Sequence, residues 1–274
     1  MEYITTVHVN CVSEERREEY TNWYNYVHFR DVMNMPGHIS AQRFCRSKYQ
    51  PKHYFDDTFE FWTIYELRTK AESTAGHQAA IMSWKMQITS AMDFSNYKES
   101  YWDGVYGNVP YSCYSEYGQQ QNCLIALIGG DVENVFTQDV VFKLGNMDGV
   151  YAANLYHYAP DQMAKATAKK EEFTHQLIIQ CEDARDAIAS WDAFCEENEA
   201  LKGLQIAATC YTSMHPRLKM CDSLRDEKDR AISSLYHMFT NLPGYHAANP
   251  ANPPKYTDIL TPAIKQKLEM LDKK

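Results

Sequence analysis

Three side chains near the start of the chain have the types and the spacing for proton transfer: Tyr24, His28 and Asp31. Residues three and four apart on a regular helix share a face, so a phenol, an imidazole and a carboxylate come together there. Imidazole titrates near neutral pH, so His28 can take a proton from a phenol or a carbon acid and return it elsewhere. Asp31 can fix the imidazole tautomer and raise its basicity. Tyr24 can donate to a developing oxyanion. His8 and Arg43 are candidates for substrate contact, Arg43 as a partner for a substrate anion or for Asp31. Trp62, Tyr65 and Trp84 are candidates for the aromatic walls of a pocket. Each also has a structural reading: His28 bonded to a backbone carbonyl, Asp31 on a loop amide, Tyr24 and the tryptophans as ordinary core.

These side chains need elements to hold them. Tyr3 to Val12 alternates with period two and is rich in β-branched residues, which predicts a strand; its Ile4, Thr6, His8, Asn10 and Val12 face is polar enough to line a cavity. Ser13 is placed to cap a helix with Glu14 and Glu15 in its first turn. That helix runs to about Met33 and is stopped by Asn34-Met35-Pro36-Gly37. Strands follow at His38 to Cys45 and Phe59 to Leu67, with a loop between them. A helix from Ala71 to about Met92 and a strand from Tyr97 to Tyr106 complete a β-α-β-β-α-β order, which is ferredoxin-like. The site is expected between the first helix and its own sheet.

The same order then returns. Strands are predicted at Cys123 to Ile128, Val150 to His157, His175 to Glu182 and Leu204 to Tyr211. Helices are predicted from Asp131 to about Leu144 and from Ala184 to Glu197. Asn146-Met147-Asp148-Gly149 echoes Asn34-Met35-Pro36-Gly37, and an internal duplication follows as the expectation. The second helix of the pair carries Phe136-Thr137-Gln138-Asp139 and no histidine, so one copy keeps the chemistry. The expected organisation is an α+β chain of two tandem ferredoxin-like units, at residues 1–110 and 123–215. A linker or flap joins them at 111–122, and a helical extension occupies 216–274.

Composition narrows the function classes. The chain has 274 residues, a formal net charge of −9 and no long basic run, so nucleic acid and anionic membrane surfaces are poor partners. No apolar run approaches the roughly 18–20 residues needed to span a bilayer, and a cytoplasmic protein is expected. The eight cysteines are dispersed without a Cys-x-x-Cys, which reads as free thiols and no zinc site. Twenty Tyr, five Trp and eleven Phe supply enough rings to stack on a flat ligand. No phosphate loop, dinucleotide-binding glycine motif, serine elbow or His-Glu-x-x-His occurs.

Trp23-Tyr24-x-x-x-His28-x-x-Asp31-Val32-x-x-x-Pro36-Gly37, between two strands, resembles the dimeric α+β-barrel superfamily and in particular its EthD-like branch. Within the first 45 residues, Cys11-Val12-Ser13-Glu14, Trp23 and Val27-His28-x-x-Asp31 also resemble the bacterial chalcone isomerases of gut flavonoid degraders. The resemblance implies a barrel closed between ferredoxin-like sheets. It also implies a cofactor-independent isomerase or lyase acting on a small phenolic, chalcone-like compound, with His28 as acid/base, and a homo-oligomer. Two other branches stay open: monooxygenases of aromatic polyketides, and haem enzymes, for which His157 or His175 would be the axial ligand. A non-catalytic ligand-binding protein is the third alternative.

Overall fold

The structure is a computed structural model that describes residues 3–33, 38–67, 89–107, 122–159, 172–214 and 218–219. The chain divides into two compact units. The first comprises residues 1–9, 42–67 and 97–217, and the second residues 10–41, 68–96 and 218–274.

The first unit is a closed antiparallel barrel. Its strands are β1 (Tyr3–Val9), the Gln42–Arg46 part of β2 (His38–Arg46), β3 (Phe61–Leu67), β4 (Lys98–Gly107), β5 (Asn122–Gly129), β6 (Val150–Tyr158), β7 (His175–Cys181) and β8 (Gln205–Ser213). Neighbours run β3-β1-β4-β6-β7-β5-β8-β2, and β2 pairs back onto β3 to close the ring. The two runs of four strands share one order, β2-β3-β1-β4 and β6-β7-β5-β8. An α+β architecture with an eight-strand barrel is therefore observed.

Strand alternation divides the barrel into an inner and an outer layer. Ile4, Phe44, Trp62, Ile64, Trp102, Ile125, Tyr156, Ile178 and Tyr211 form one cluster. Side chains fill the interior of an eight-strand barrel in this way. The neighbouring positions on β5 and β7, Leu124, Ala126, Leu177 and Ile179, belong to a second cluster with Phe136, Val141, Leu144, Trp191 and Phe194. These last residues come from the Gln138–Gly145 helix, the turn before it, and the Ala184–Glu197 helix. Both strands are buried along their whole length. The longer helix starts where Asp183 accepts a hydrogen bond from the Arg185 amide, and Ala184, Ala187, Trp191 and Phe194 make its buried stripe.

Several boundaries differ from the sequence reading. β1 stops at Val9, because Cys11 leaves the barrel to bridge Met92. Residues 131–137 form turns, so the helix expected from Asp131 begins at Gln138. Met92 lies in a turn and bridge and does not end a helix. The rest of the 71–92 helix, the Pro36-Gly37 stop, nearly all of the 111–122 linker and almost the whole extension beyond residue 215 lie outside the described residues. Among the described residues, no helix is long and apolar enough to cross a membrane.

Candidate functional site

In the second unit, the segment carrying His28 is helical but not regular. A 3-10 turn at Glu14–Arg16 leads into an α-helix at Arg17–Trp23, a π turn at Tyr24–His28 and a second α-helical stretch at Phe29–Met33. Ser13 is extended and its side chain makes no capping bond, contrary to its expected role. Residues 89–93 anchor this start instead. Val12 donates its amide to the Ala91 carbonyl (2.9 Å), and Asp93 donates its own to Asn10 (3.0 Å). Arg16 pairs with Glu19 at 2.6 Å and donates to Ser90 Oγ at 2.9 Å, and Thr89 Oγ1 donates to Glu19 at 2.9 Å.

The π turn changes which side chain meets the imidazole. Its closing bond runs from the Phe29 amide to the Tyr24 carbonyl, five residues back. A wider turn brings positions five apart into register where an α-helix would bring positions four apart. The His28 ring accordingly stacks on the indole of Trp23, with centroids 4.7 Å apart and planes 21° apart. Tyr24 presents itself edge-on to the same imidazole at 4.9 Å, and Trp23 and Tyr24 meet edge to face at 5.6 Å. Trp23, Tyr24 and Asp31 are buried and His28 is half-buried. Helical spacing predicts the Tyr24–His28 pair but not Trp23 as the stacking partner. Its signal was an aromatic residue five positions before the histidine, which only a π turn makes a neighbour.

The barrel unit separates the remaining candidates by strand parity. His8 and Trp62 pair across β1 and β3 with ring centroids 6.4 Å apart, and both are buried in the inner layer. Tyr65 pairs with Thr5 on the opposite face of the same two strands. Arg43 is fully buried and its guanidinium lies over the Phe61 ring at 4.8 Å, also on that opposite face. His8, Arg43, Trp62 and Tyr65 thus do not share one wall. Residues 62 and 65, three apart on a strand, point to opposite sides. Trp84 lies outside the described residues.

Burial, and secondarily the Lys98 charge, pushes the His8 imidazole down to about 3, so it is neutral at physiological pH. Trp102 Nε1 donates to Thr6 Oγ1 at 2.8 Å, and Thr6 donates to Gln176 Oε1 at 3.3 Å across the interior. A surface cleft of about 730 Å³ elsewhere on this unit is lined by Arg46, Tyr49, Asn122, Glu182 and Asp186, and by none of the residues singled out from the sequence.

The haem alternative meets an obstacle. His175 Nδ1 lies 3.0 Å from Thr174 Oγ1, and its Nε2 lies 3.7 Å from Glu133. His157 stands edge-on to it at 4.9 Å. Burial and the neighbouring His157 lower the His175 pKa. On the same strand face, Leu177 and Ile179 belong to the Trp191 and Phe136 cluster. These residues do not fit a haem ligand set. Among the described residues no group of three or more His, Cys, Asp and Glu is arranged to hold a metal ion. Burial pushes the Cys181 and Cys195 thiols up to about 12, which leaves them inert at neutral pH.

No protein-family model and no curated protein sequence matches the chain. Solved structures do. An anthrone oxidase-like protein aligns with a TM-score of 0.51 at 8% identity, covering 80% of this chain and 94% of that one. A candidate monooxygenase from Lactobacillus acidophilus NCFM aligns at 0.47 with 9% identity, over 80% and 97%. A variant chlorite dismutase from Candidatus Nitrospira defluvii aligns at 0.45 with 11% identity, over 86% and 94%. The likeness to the anthrone oxidase-like protein is one of fold, which in this chain is an α+β fold with a closed antiparallel ring of eight strands.

Proposed function

We propose that the chain is a cofactor-independent monooxygenase of small phenolic, polyketide-type aromatic compounds, with His28 as the base. The observation that carries this reading is the His28 imidazole held against Trp23 and Tyr24 on a π turn, a local irregularity found often at functional sites. The α+β-barrel fold shared with an anthrone oxidase-like protein supports it. A hydroxyanthrone illustrates the chemistry. His28 takes a proton from the ring carbon para-conjugated to the carbonyl, and the carbanion is delocalised onto oxygen. Its electron pair forms a C–O bond with dioxygen, and protonation gives a hydroperoxide. Loss of the second hydrogen on that carbon with the outer oxygen, as water, leaves the ketone. The sum is anthrone plus O₂ giving anthraquinone plus H₂O.

Asp31 is proposed to orient His28, and Tyr24 to steady the anionic oxygen. Of the further candidates, His8 with Trp62 and Arg43 with Tyr65 lie on opposite faces of the barrel wall, so at most one pair is proposed to contact a given small substrate. The isomerase reading drawn from the first 45 residues uses the same base on a phenol. The fold shared with the anthrone oxidase-like protein supports the oxygenase reading in preference to it. We also propose that the chain arose by tandem duplication of a ferredoxin-like unit at about 1–110 and 123–215, which the matching strand orders support, and that it assembles as a homo-oligomer.

Oxygen uptake and quinone absorbance with 1,8-dihydroxyanthrone test the function. The protein accelerates both above the uncatalysed rate, and His28→Ala lowers turnover by on the order of 10²-fold without unfolding. An equal rate in the variant contradicts the proposal. Tight binding without oxygen uptake is the outcome expected of a mere ligand-binding protein.

A further inference from the structure

We infer that the trough around Tyr49 on the barrel unit is where a second copy of this chain docks; this rests on the proposed homo-oligomer and names its contact face. The cleft of about 730 Å³ does not end at Tyr49. A further recess of about 550 Å³ adjoins it, and Lys48 and Tyr49 line both. Together they follow the Ala184–Glu197 helix from Asp183 to Glu196, about 20 Å at ~1.5 Å per residue. That is the scale of an ordinary protein–protein contact patch, roughly 800 Å² on each partner. The eight strands close their ring within one chain, so the ring offers a second copy no open strand edge among the described residues. A contact between copies on this unit therefore needs its outer surface.

Tyr49 has the form of an anchor. Its side chain is exposed, and the segment that carries it is fixed. The Tyr49 amide donates to Ser47 Oγ at 3.2 Å, and Gln50 Nε2 donates to the Ser47 and Cys210 carbonyls at 2.7 and 2.8 Å. An exposed ring on a rigid segment gives up little freedom on binding, and tyrosine is enriched among the residues that dominate interfaces. A second exposed tyrosine, Tyr151, donates to Glu182 on the cleft lining at 2.7 Å. A two-fold contact sets one patch against itself, so each copy must carry both the projection and the hollow. The trough carries both, with Tyr49 shared by two recesses.

The charges favour a second copy over a partner of one sign. Arg46 and Lys48 bring positive charge to the cleft from the end of β2 and the segment after it, and Glu182 and Asp186 bring negative charge from the start of the helix. None of these four forms an ion pair among the described residues, whereas Asp183 beside them is taken up by Arg185. Lys48 Nζ lies 4.9 Å from the centre of the Tyr49 ring. A uniformly acidic or basic partner would be repelled by one side of the cleft. A copy related by a two-fold turns each side onto the opposite one, with Lys48 of each protomer facing Glu182 of the other. Opposed charges of this kind fix register and exclude wrong partners.

Sedimentation velocity of the full chain at micromolar concentration tests the proposal. The wild type should run as a dimer. Tyr49→Ser and Lys48→Glu should each weaken association by about 10-fold or more, with the circular dichroism spectrum kept because both side chains are exposed. Lys48→Glu combined with Glu182→Lys should recover most of the lost affinity, since the swap restores opposite charges across the two-fold. A wild type that stays monomeric overturns both the homo-oligomer and this face, and leaves the trough to a different partner. A wild-type dimer that neither single substitution weakens keeps the homo-oligomer and overturns this face. A double variant weaker than either charge reversal alone overturns the pairing of Lys48 with Glu182 and the two-fold built on it.

Discussion

The helix that follows β1 and the helix that follows β5 occupy matching places in the two runs of four strands, yet they are built to different ends. The second is short and regular: Gln138–Gly145, with Val141 and Leu144 sunk in an apolar cluster beside Trp191 and Phe194. Its polar groups face outward and its chemistry is that of packing. The first is interrupted by a π turn, crowds Trp23, Tyr24 and His28 into edge and stacking contacts, and leaves a buried indole N–H unmatched. Irregular backbone and unsatisfied donors are unfavourable, and they persist where something other than stability maintains them. The difference teaches that the two regions should fail differently when mutated.

The largest loss of stability is expected in the regular region. Trp191→Ala removes a fully buried indole from the cluster and its bond to the His53 carbonyl, and should cost about 3–5 kcal/mol by denaturant titration. In the irregular region the large effect is on rate. Inserting an alanine after Tyr26, an exposed residue inside the π turn, places Trp23 and His28 six apart, out of register on either an α or a π turn. Turnover of 1,8-dihydroxyanthrone should fall by on the order of 10²-fold, as for loss of the base itself, while the circular dichroism spectrum is kept. Turnover that survives the insertion would show that the contact with Trp23 is incidental.

Two smaller effects sharpen the contrast from the barrel side. Gly149 has φ +76°, and a Cβ there would lie 2.5 Å from the Asp186 side chain, so Gly149→Ala should destabilise by about 1–2 kcal/mol with no effect on the intrinsic rate. His8 predicts a pH dependence. Its folded pKa of about 3 lies below the unfolded value of 6.5, so the unfolded chain binds more protons between those values. Stability contributed by neutral His8 is therefore fully present above about pH 6.5 and is lost as pH falls toward 3, at up to about 1.4 kcal/mol per pH unit. His8→Gln should flatten the unfolding profile in that window; an unchanged slope would mean that His8 is not held neutral.

Much of the fold was legible because alternation and chain punctuation are local properties. Ala184–Glu197 is bounded as its caps and stripe imply, and the strands fall within a few residues of their expected limits. Closure of the ring was not legible from spacing, since the pairing of β2 with β8, and of β4 with β6, joins segments far apart in sequence. At the site, the Tyr24–His28 neighbourhood was readable from spacing. The stack on Trp23 was not, because a π turn has no strong local propensity signal. The parity of Trp62 and Tyr65 was readable from their three-residue separation, and it rules out their forming one wall.

The proposed reaction begins when His28 removes a proton from carbon. Anaerobic exchange of the acidic ring hydrogen of 1,8-dihydroxyanthrone in D₂O, followed by proton NMR, measures that step without the oxygen chemistry after it. The wild type should wash the signal out faster than buffer alone, with His28→Ala slower by on the order of 10²-fold. Exchange at the wild-type rate in His28→Ala would contradict the claim.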